Sequence, residues 1–292
     1  MGRVCVLLVA AIVPVAVALV PSPRSSAQQP VQLRIGMPEN MFSGMPPSVV
    51  QAASRPFQIM FEKQTGIKGE VVSAKDYADM ADRLRAGKLE IAVFHGFEYA
   101  WVRQHPELVP LLVTVPGSKI QACLVVNAGA KAKSAKDLKG VCVAVPANTK
   151  PHCRLYLERL QEKLPEGTCG TAKDDGKSVE ETLDAVCAGN CPAALVDFSA
   201  FTAYRDNKPG AGNQLMVLDK SEPFPSAVVV YRKEALDEKS VAKVRDGMIK
   251  CTDTAQGKLL TSLWRLKGFA ELTPGYHTEL DKSLKAYPAP KK

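Results

Sequence analysis

The 292-residue sequence has none of the short cysteine and histidine spacings from which metal sites are built. No two cysteines stand two residues apart, and its four histidines, His95, His105, His152 and His277, lie far apart along the chain. Zinc takes four ligands that come mostly in such spacings, so neither a metal nor any other cofactor is expected. Runs of like charge are missing as well: the formal charge is +8, yet basic and acidic residues are interspersed and never form a block of five or six. That excludes a nucleic-acid-binding tail, while a mild basic excess favours small anions. Nothing repeats at a fixed period, which excludes solenoids and propellers.

What is present begins with an apolar stretch from Val4 to Val20, preceded by Arg3 and followed by Pro21, Pro23 and the small residues Ser25, Ser26 and Ala27. A charged start, an apolar middle and a small-residue end describe a secretion signal cleaved after Ala27. Pro14 and the length of the run argue against a spanning helix, which needs ~20 apolar residues. Cys5 precedes the run, so no cysteine stands at the cleavage point to carry a lipid. Removal of 1–27 takes away Arg3 and Arg24, leaving 8 − 2 = +6, and Cys5, leaving 8 − 1 = 7 cysteines. In an exported protein some of these should pair. Cys187 with Cys191 is the first expectation, and Cys153 with Cys169 the second.

The most informative segment is Val141 to Leu160. A β-branched run at Val141, Val143 and Val145 leads through Ala147, Asn148, Thr149 and Lys150 to Pro151, after which Cys153, Leu157, Leu160 and Leu164 recur at helical spacing. Proline suits the first turn of a helix, and Asn148 or Thr149 can cap it. A helix start of this kind, with Lys150 beside it, can hold an anion. An ordinary capped helix accounts for the same residues.

Strands are expected at Val31 to Gly36, Glu70 to Ser73, Glu90 to Phe94, Val109 to Val115, Lys119 to Val126, Ala193 to Val196, Gln214 to Leu218 and Ala227 to Tyr231. The segments between them read as helices: Ser48 to Thr65 with a kink or restart at Pro56, one capped by Asp76 and ended by Gly87, a short one at Asp137, and Ser178 to Ala188. The chain ends in helices carrying Val241, Val244 and Met248, then Leu259, Leu260 and Leu263. Alternation of this kind predicts parallel sheets with helices on their faces.

Asp76-Tyr77, the helix after it, the run Gly87-Lys88-Leu89-Glu90-Ile91-Ala92-Val93-Phe94 and the later Tyr99 resemble the phosphate-, phosphite- and phosphonate-binding proteins of ABC importers. The step Asp137-Leu138-Lys139-Gly140, the turn at Asn148 to Pro151 and the strand ending at Tyr231 follow in the family's order, so the resemblance spans Leu33 to Leu266. It implies an α/β periplasmic-binding-protein type II fold. One lobe would comprise residues 28–119 plus 226–292 and the other residues 120–225, each a mostly parallel sheet flanked by helices. Two crossing segments near Lys119 to Val126 and Ser226 to Tyr231 would join them. It further implies a periplasmic monomer that is not an enzyme, holds a small oxyanion between its lobes and delivers it to a membrane permease.

Carried over by position, Tyr77 and Tyr99 match an aromatic wall of the ligand site, although either can equally be a core residue. Asn148, Thr149 and Lys150 stand where the family has a turn gripping phosphonate oxygens, and only the threonine matches its pattern. Asp197 falls near a cleft-lining position and also suits a helix cap before Phe198. His95 replaces a glycine of the family pattern and would bring a titratable ring to the cleft. Ser178 or Val179 stands where many members carry histidine. Two other outputs use the same sequence: docking on a membrane sensor, and a cysteine-dependent enzyme built on Cys153 with His152 or His95.

Overall fold

A computed structural model describes residues 32–42, 47–138, 140–147, 149–163, 170–174 and 176–290. The expected secretion signal with its cleavage after Ala27, and also Asn148 and Cys169, lie outside these residues.

The described chain builds two sheets. The first holds β1 (Gln32–Pro38), β2 (Lys68–Ala74), β3 (Ile91–Phe94), β4 (Leu108–Pro116), β10 (Val228–Arg232) and β11 (Leu266–Ala270), in the order β11-β4-β10-β3-β1-β2. The second holds β5 (Ala122–Asn127), β6 (Cys142–Val145), β7 (Gly170–Asp174), β8 (Ala193–Asp197) and β9 (Leu215–Lys220), in the order β7-β6-β8-β5-β9. We refer to the parts built on them as lobe 1 and lobe 2. The chain leaves the first sheet at Pro116 and returns to it at Val228, so residues 117–121 and 221–227 cross between the two.

Helices connect the parallel strands, as a parallel pair requires. In lobe 1 these are α1 (Pro47–Thr65), α2 (Tyr77–Arg85) and α3 (Gly96–Val102). In lobe 2 they are α4 (Pro151–Lys163), α5 (Val179–Cys187), α6 (Phe198–Asn207) and the single turn α7 (Pro209–Gly212). The chain closes on lobe 1 with α8 (Glu238–Ile249), α9 (Ala255–Leu263) and α10 (Pro274–Ala286). Among the described residues no helix is long and apolar enough to cross a membrane.

Most strands of each sheet run one way, as expected, with exceptions that the structure adds, and two other expectations are corrected. The sheets are mixed: β2-β1-β3 and β7-β6-β8 are parallel, but β10 runs antiparallel between β3 and β4, and β5 antiparallel between β8 and β9. Both intruders are the first strands after a crossing, and a chain entering a sheet from the far lobe arrives pointing the opposite way. Helix α1 runs unbroken past Pro56, because Phe57, Met60 and Phe61 hold its second half against the sheet and outweigh the one backbone hydrogen bond that proline removes. The expected Cys187–Cys191 bridge does not form. Both are free thiols, and they donate apart, Cys187 to Ala211 O at 3.4 Å and Cys191 to Ala193 O at 3.1 Å. Gly189, at φ 73°, turns the chain between them.

Each sheet buries both faces, which is why β5 and β8 read as continuous apolar runs. One face of lobe 1 packs Met80, Leu84 and Phe94 against Tyr276 and Leu280, and the other packs Ile35, Ile91 and Val229 under Phe57, Phe61 and Val244. Lobe 2 buries Leu124, Val143, Cys153 and Leu157 on one side and Val125, Leu183, Val196 and Phe201 on the other. A separate aromatic cluster of Phe97, Trp101, Phe224 and Tyr287 lies beside the second crossing. Arg159 of α4 stacks on Tyr287, 5.0 Å from its ring centroid, and holds Glu222 in a fork of 2.8 and 2.9 Å. The carboxyl-terminal arm thus touches lobe 2.

Candidate functional site

Between the lobes a cavity of about 550 Å³ opens. Its polar wall is assembled almost wholly from places where a strand gives way to a helix. His95 follows β3 and caps α3, Lys150 and Pro151 start α4, Val179 starts α5, and Asp197, Ser199 and Ala200 start α6. Parallel strands deliver such turns to one edge of a sheet, the usual ligand position in open α/β folds. Three helices of nine to thirteen residues therefore aim their positive ends at one space. The amide hydrogens at the start of α4 are partly committed: Thr149 N–H returns to Pro146 O and Cys153 N–H to Lys150 O. Among the described residues nothing accepts from the amides of Lys150 and His152 on either side of Pro151.

Asp197 is the most heavily bonded group here. One oxygen, Oδ1, accepts the α6 amides of Ser199 at 2.9 Å and Ala200 at 3.2 Å, together with the Ser199 hydroxyl. The other, Oδ2, lies 3.0 Å from His152 Nε2, buried and close though poorly aligned as a hydrogen bond. Burial alone would raise the Asp197 carboxyl, but the neighbouring His152, the Ser199 hydroxyl and the charge of Lys150 overcome it and hold the group below the usual carboxylate range. Cap and cavity wall are one residue.

His95 presents a ring that stacks on Phe97, with centroids 5.4 Å apart and planes within 5°. Its pKa is lowered to about 3, first by burial and then by the nearby His152 and Lys150. Because the ring keeps some surface on the cavity, water there moderates the depression, and the ring is neutral at physiological pH in either case. Phe97 meets Phe224 edge-on at 5.8 Å and Phe224 meets His152 at 5.4 Å, so the two histidines are linked through a pair of aromatic rings. Gly96 permits this arrangement. A Cβ there would lie 2.5 Å from the carbonyl oxygens of Pro225 and Ser226 in the second crossing.

Of the residues singled out from sequence, the fold brings His95, Lys150 and Asp197 to the cavity. Thr149 is buried beside it, its hydroxyl donating 2.6 Å to Pro146 O to close the turn. Tyr77 and Tyr99 do not line it. Tyr77 packs edge-on against Trp101 at 4.8 Å, and Tyr99 lies in the lobe 1 core with its hydroxyl 3.4 Å from Leu108 O and its pKa pushed up to about 12 by burial. Val179 faces the cavity, whereas Ser178 is committed to a capping box with Glu181. Cys153 is fully buried in the lobe 2 core and its thiol is pushed well above its ordinary value by burial, which is the reverse of what a nucleophile needs.

Sequence reasoning missed Thr114, Ser199 and Arg265. Thr114 and Ser199 face the cavity with hydroxyls donating inward to Ala227 O and Asp197. Arg265 is exposed at the cavity and sits at φ 52°, a region costly for a side-chain-bearing residue, while its carbonyl accepts from Gly117 in the first crossing. Only Ser199, two residues after a capping aspartate, carried a local signal.

Two sheets with a cavity at the converging helix starts define a two-lobed solute-binding protein. The chain belongs to the family described as ABC transporter, phosphonate, periplasmic substrate-binding protein, whose profile matches residues 41–275. Solved structures agree on the type II fold. PhnD1 from Prochlorococcus marinus, in complex with methylphosphonate, is 14% identical with a TM-score of 0.64, covering 88% of this chain and 98% of its own. A binding-protein component of an ABC phosphonate transporter from Pseudomonas aeruginosa is 18% identical with a TM-score of 0.60, covering 88% and 87%. The aliphatic sulphonate binding protein SsuA from Escherichia coli is 14% identical with a TM-score of 0.52, covering 89% and 94%. A search of curated protein sequences gives no match.

Proposed function

We propose that this chain is an exported receptor that captures a small oxyanion of the phosphonate, phosphite or phosphate type between its lobes and delivers it to an ABC importer. The observation that carries this reading is the meeting of the α4, α5 and α6 starts with Lys150 and Arg265 at one cavity. Helix ends supply partial positive charge and the two cations supply whole charges, whereas neutral His95 adds none. Asp197 acts as a positioning residue: its carboxylate is consumed by the α6 cap and His152, so it shapes the wall without repelling an anion at full strength. In this reading residues 28–119 with 226–292 and residues 120–225 close on the ligand as two lobes, with 117–121 and 221–227 as the flexing segments. The signal ending at Ala27 takes the monomer to the periplasm.

A thermal-shift screen tests it, using protein freed of carried-over ligand by unfolding and refolding. Phosphate, phosphite, methyl- and aminoethylphosphonate, sulfate, sulfonates and small carboxylates are compared. A ligand at a hundred times its Kd adds ~2.7 kcal/mol to stability. One phosphorus oxyanion should raise the midpoint, and Lys150→Ala should weaken its binding about tenfold, the value of one charge-assisted hydrogen bond. Absence of a shift with every anion would remove the oxyanion reading.

A further inference from the structure

Hydrogen bonds divide each crossing between the two lobes. In the first, Gly117 N–H donates 2.9 Å to Arg265 O of lobe 1, while Gln121 O accepts from Phe198 N–H of lobe 2 at 2.9 Å. In the second, Ser221 N–H donates 2.9 Å to Ala122 O of lobe 2. Further on, Ser226 O accepts the Tyr276 hydroxyl of α10 at 2.7 Å and Ala227 O the Thr114 amide at 2.8 Å, both from lobe 1. Phe224 N–H joins one crossing to the other at Ile120 O, 2.8 Å away. Between these anchors stand Ser118 and Lys119 in the first crossing and Pro225 in the second, the places where the lobes can bend apart.

Tyr287 reaches across that bend. It ends α10 in lobe 1 and is fixed there by Trp101, whose Nε1–H donates 2.8 Å to its carbonyl oxygen. Its ring lies 4.6 Å from Phe224 and 5.0 Å from the guanidinium of Arg159, on α4 of lobe 2. Arg159 is oriented by its fork on Glu222, and the Tyr287 hydroxyl donates 3.4 Å to the same carboxylate. Their mutual hydrogen bond is the first cause that raises the Arg159 pKa and lowers that of Glu222. We propose that Tyr287, Arg159 and Glu222 form a clasp that holds the lobes in the arrangement of this structure and sets how readily they part. This rests on the reading of the lobes as closing parts and is independent of which ligand they close on. The lobes are together here: the pKa of His95 in lobe 1 is depressed first by burial and then by His152 and Lys150 of lobe 2. Release of the clasp therefore opens the cleft.

Small-angle X-ray scattering of the ligand-free chain tests this. Tyr287→Ala and Arg159→Met should each give a larger radius of gyration than the parent, and Arg159→Met keeps the packing of the side-chain stem on α4 while losing the fork and the stacked charge. Arg159→Lys, which cannot fork, should fall between. Raising salt from about 0.1 M to about 1 M should enlarge the parent, because Glu222 is exposed, and leave Arg159→Met unchanged. Calorimetry with methylphosphonate should show binding about tenfold weaker in Arg159→Met, since closure then lacks one charge-assisted contact. If methylphosphonate shrinks the parent while the ligand-free variants match it, lobe motion stands and the clasp is overturned. If no variant, salt or methylphosphonate moves the radius, clasp and lobe closure are overturned together. Enlarged variants in a chain that does not bind methylphosphonate support the clasp and count against the oxyanion reading alone.

Discussion

Lobe 1 and lobe 2 carry the same unit, three parallel strands with an antiparallel neighbour laid in after a crossing, and they place a helix cap at the same point of it. In lobe 1 that cap is His95 after β3, and in lobe 2 it is Asp197 after β8. The first is kept neutral and rests on an aromatic ring, and the second is kept charged and bonded on both oxygens. The interiors differ too. Lobe 1 contributes most of the apolar lining of the cavity, whereas lobe 2 reaches it through Ile120 and the helix starts at Lys150, Val179 and Asp197.

The comparison is broken most sharply at the residue after each cap. Phe198 fits in lobe 2, where its amide bonds to Gln121 O of the first crossing. Gly96 in lobe 1 faces two carbonyl oxygens of the second. Gly96→Ala should therefore cost about 3 kcal/mol of overpacking, read by urea denaturation, and a loss under 1 kcal/mol would mean that the crossing yields freely. Next in size is the contrast of hollow with filled. Ala194→Leu in the lobe 2 core should destabilise by about 2 kcal/mol, while Val93→Phe, at a half-buried position on the cavity wall, should change stability by less than about 1 kcal/mol. Equal losses would mean that lobe 1 is as tightly packed as lobe 2.

Acid separates the two caps. The folded pKa of His95 lies below the ordinary 6.5, so the unfolded chain takes a proton that the folded one refuses. Stability should fall as pH drops below about 6.5, by at most ~1.4 kcal/mol per pH unit for that proton. Asp197 is depressed as well, and its contribution is present above the ordinary carboxylate pKa of about 3.9 and lost as pH falls further, through its folded value. His95→Gln should flatten the upper part of the curve and leave the lower part, and an unchanged slope between pH 6 and 4 would show that the ring is not held neutral. The smallest effect is expected for Asp197→Asn, which keeps an effective cap and loses only the charge facing His152. It should cost less at pH 7 than Asp197→Ala, which also loses the cap, by about 1 kcal/mol, and equal losses would assign the stabilisation to the contact with His152 alone.

Alternating apolar strands and capped helices made most elements legible. Asp76 and Gly87 bound α2 as read, and Pro151 opens α4. The elements missed have weak local patterns: α3 is seven residues with every one buried, β11 is interrupted by Gly268, and α10 follows a proline and glycine. Tyr77 and Tyr99 illustrate the limit for the site. Both stand near the family's motif in sequence, but a tyrosine's side of a helix depends on what the sheet above it presents, and here they pack among Trp101, Phe94 and Leu108.

Helix caps, turn glycines and the alternation of elements are short-range, so the chain's own order of residues dictates the strand–turn–helix units and, through the motifs from Tyr77 to Tyr99, the family. Pairing across a hundred residues is not written in any window. The insertion of β5 and β10 and the meeting of His95, Lys150, Asp197 and Arg265 at one cavity arise only when two sheets and their crossings pack together. The volume left between packed layers is a property of the packing, and no single segment carries it.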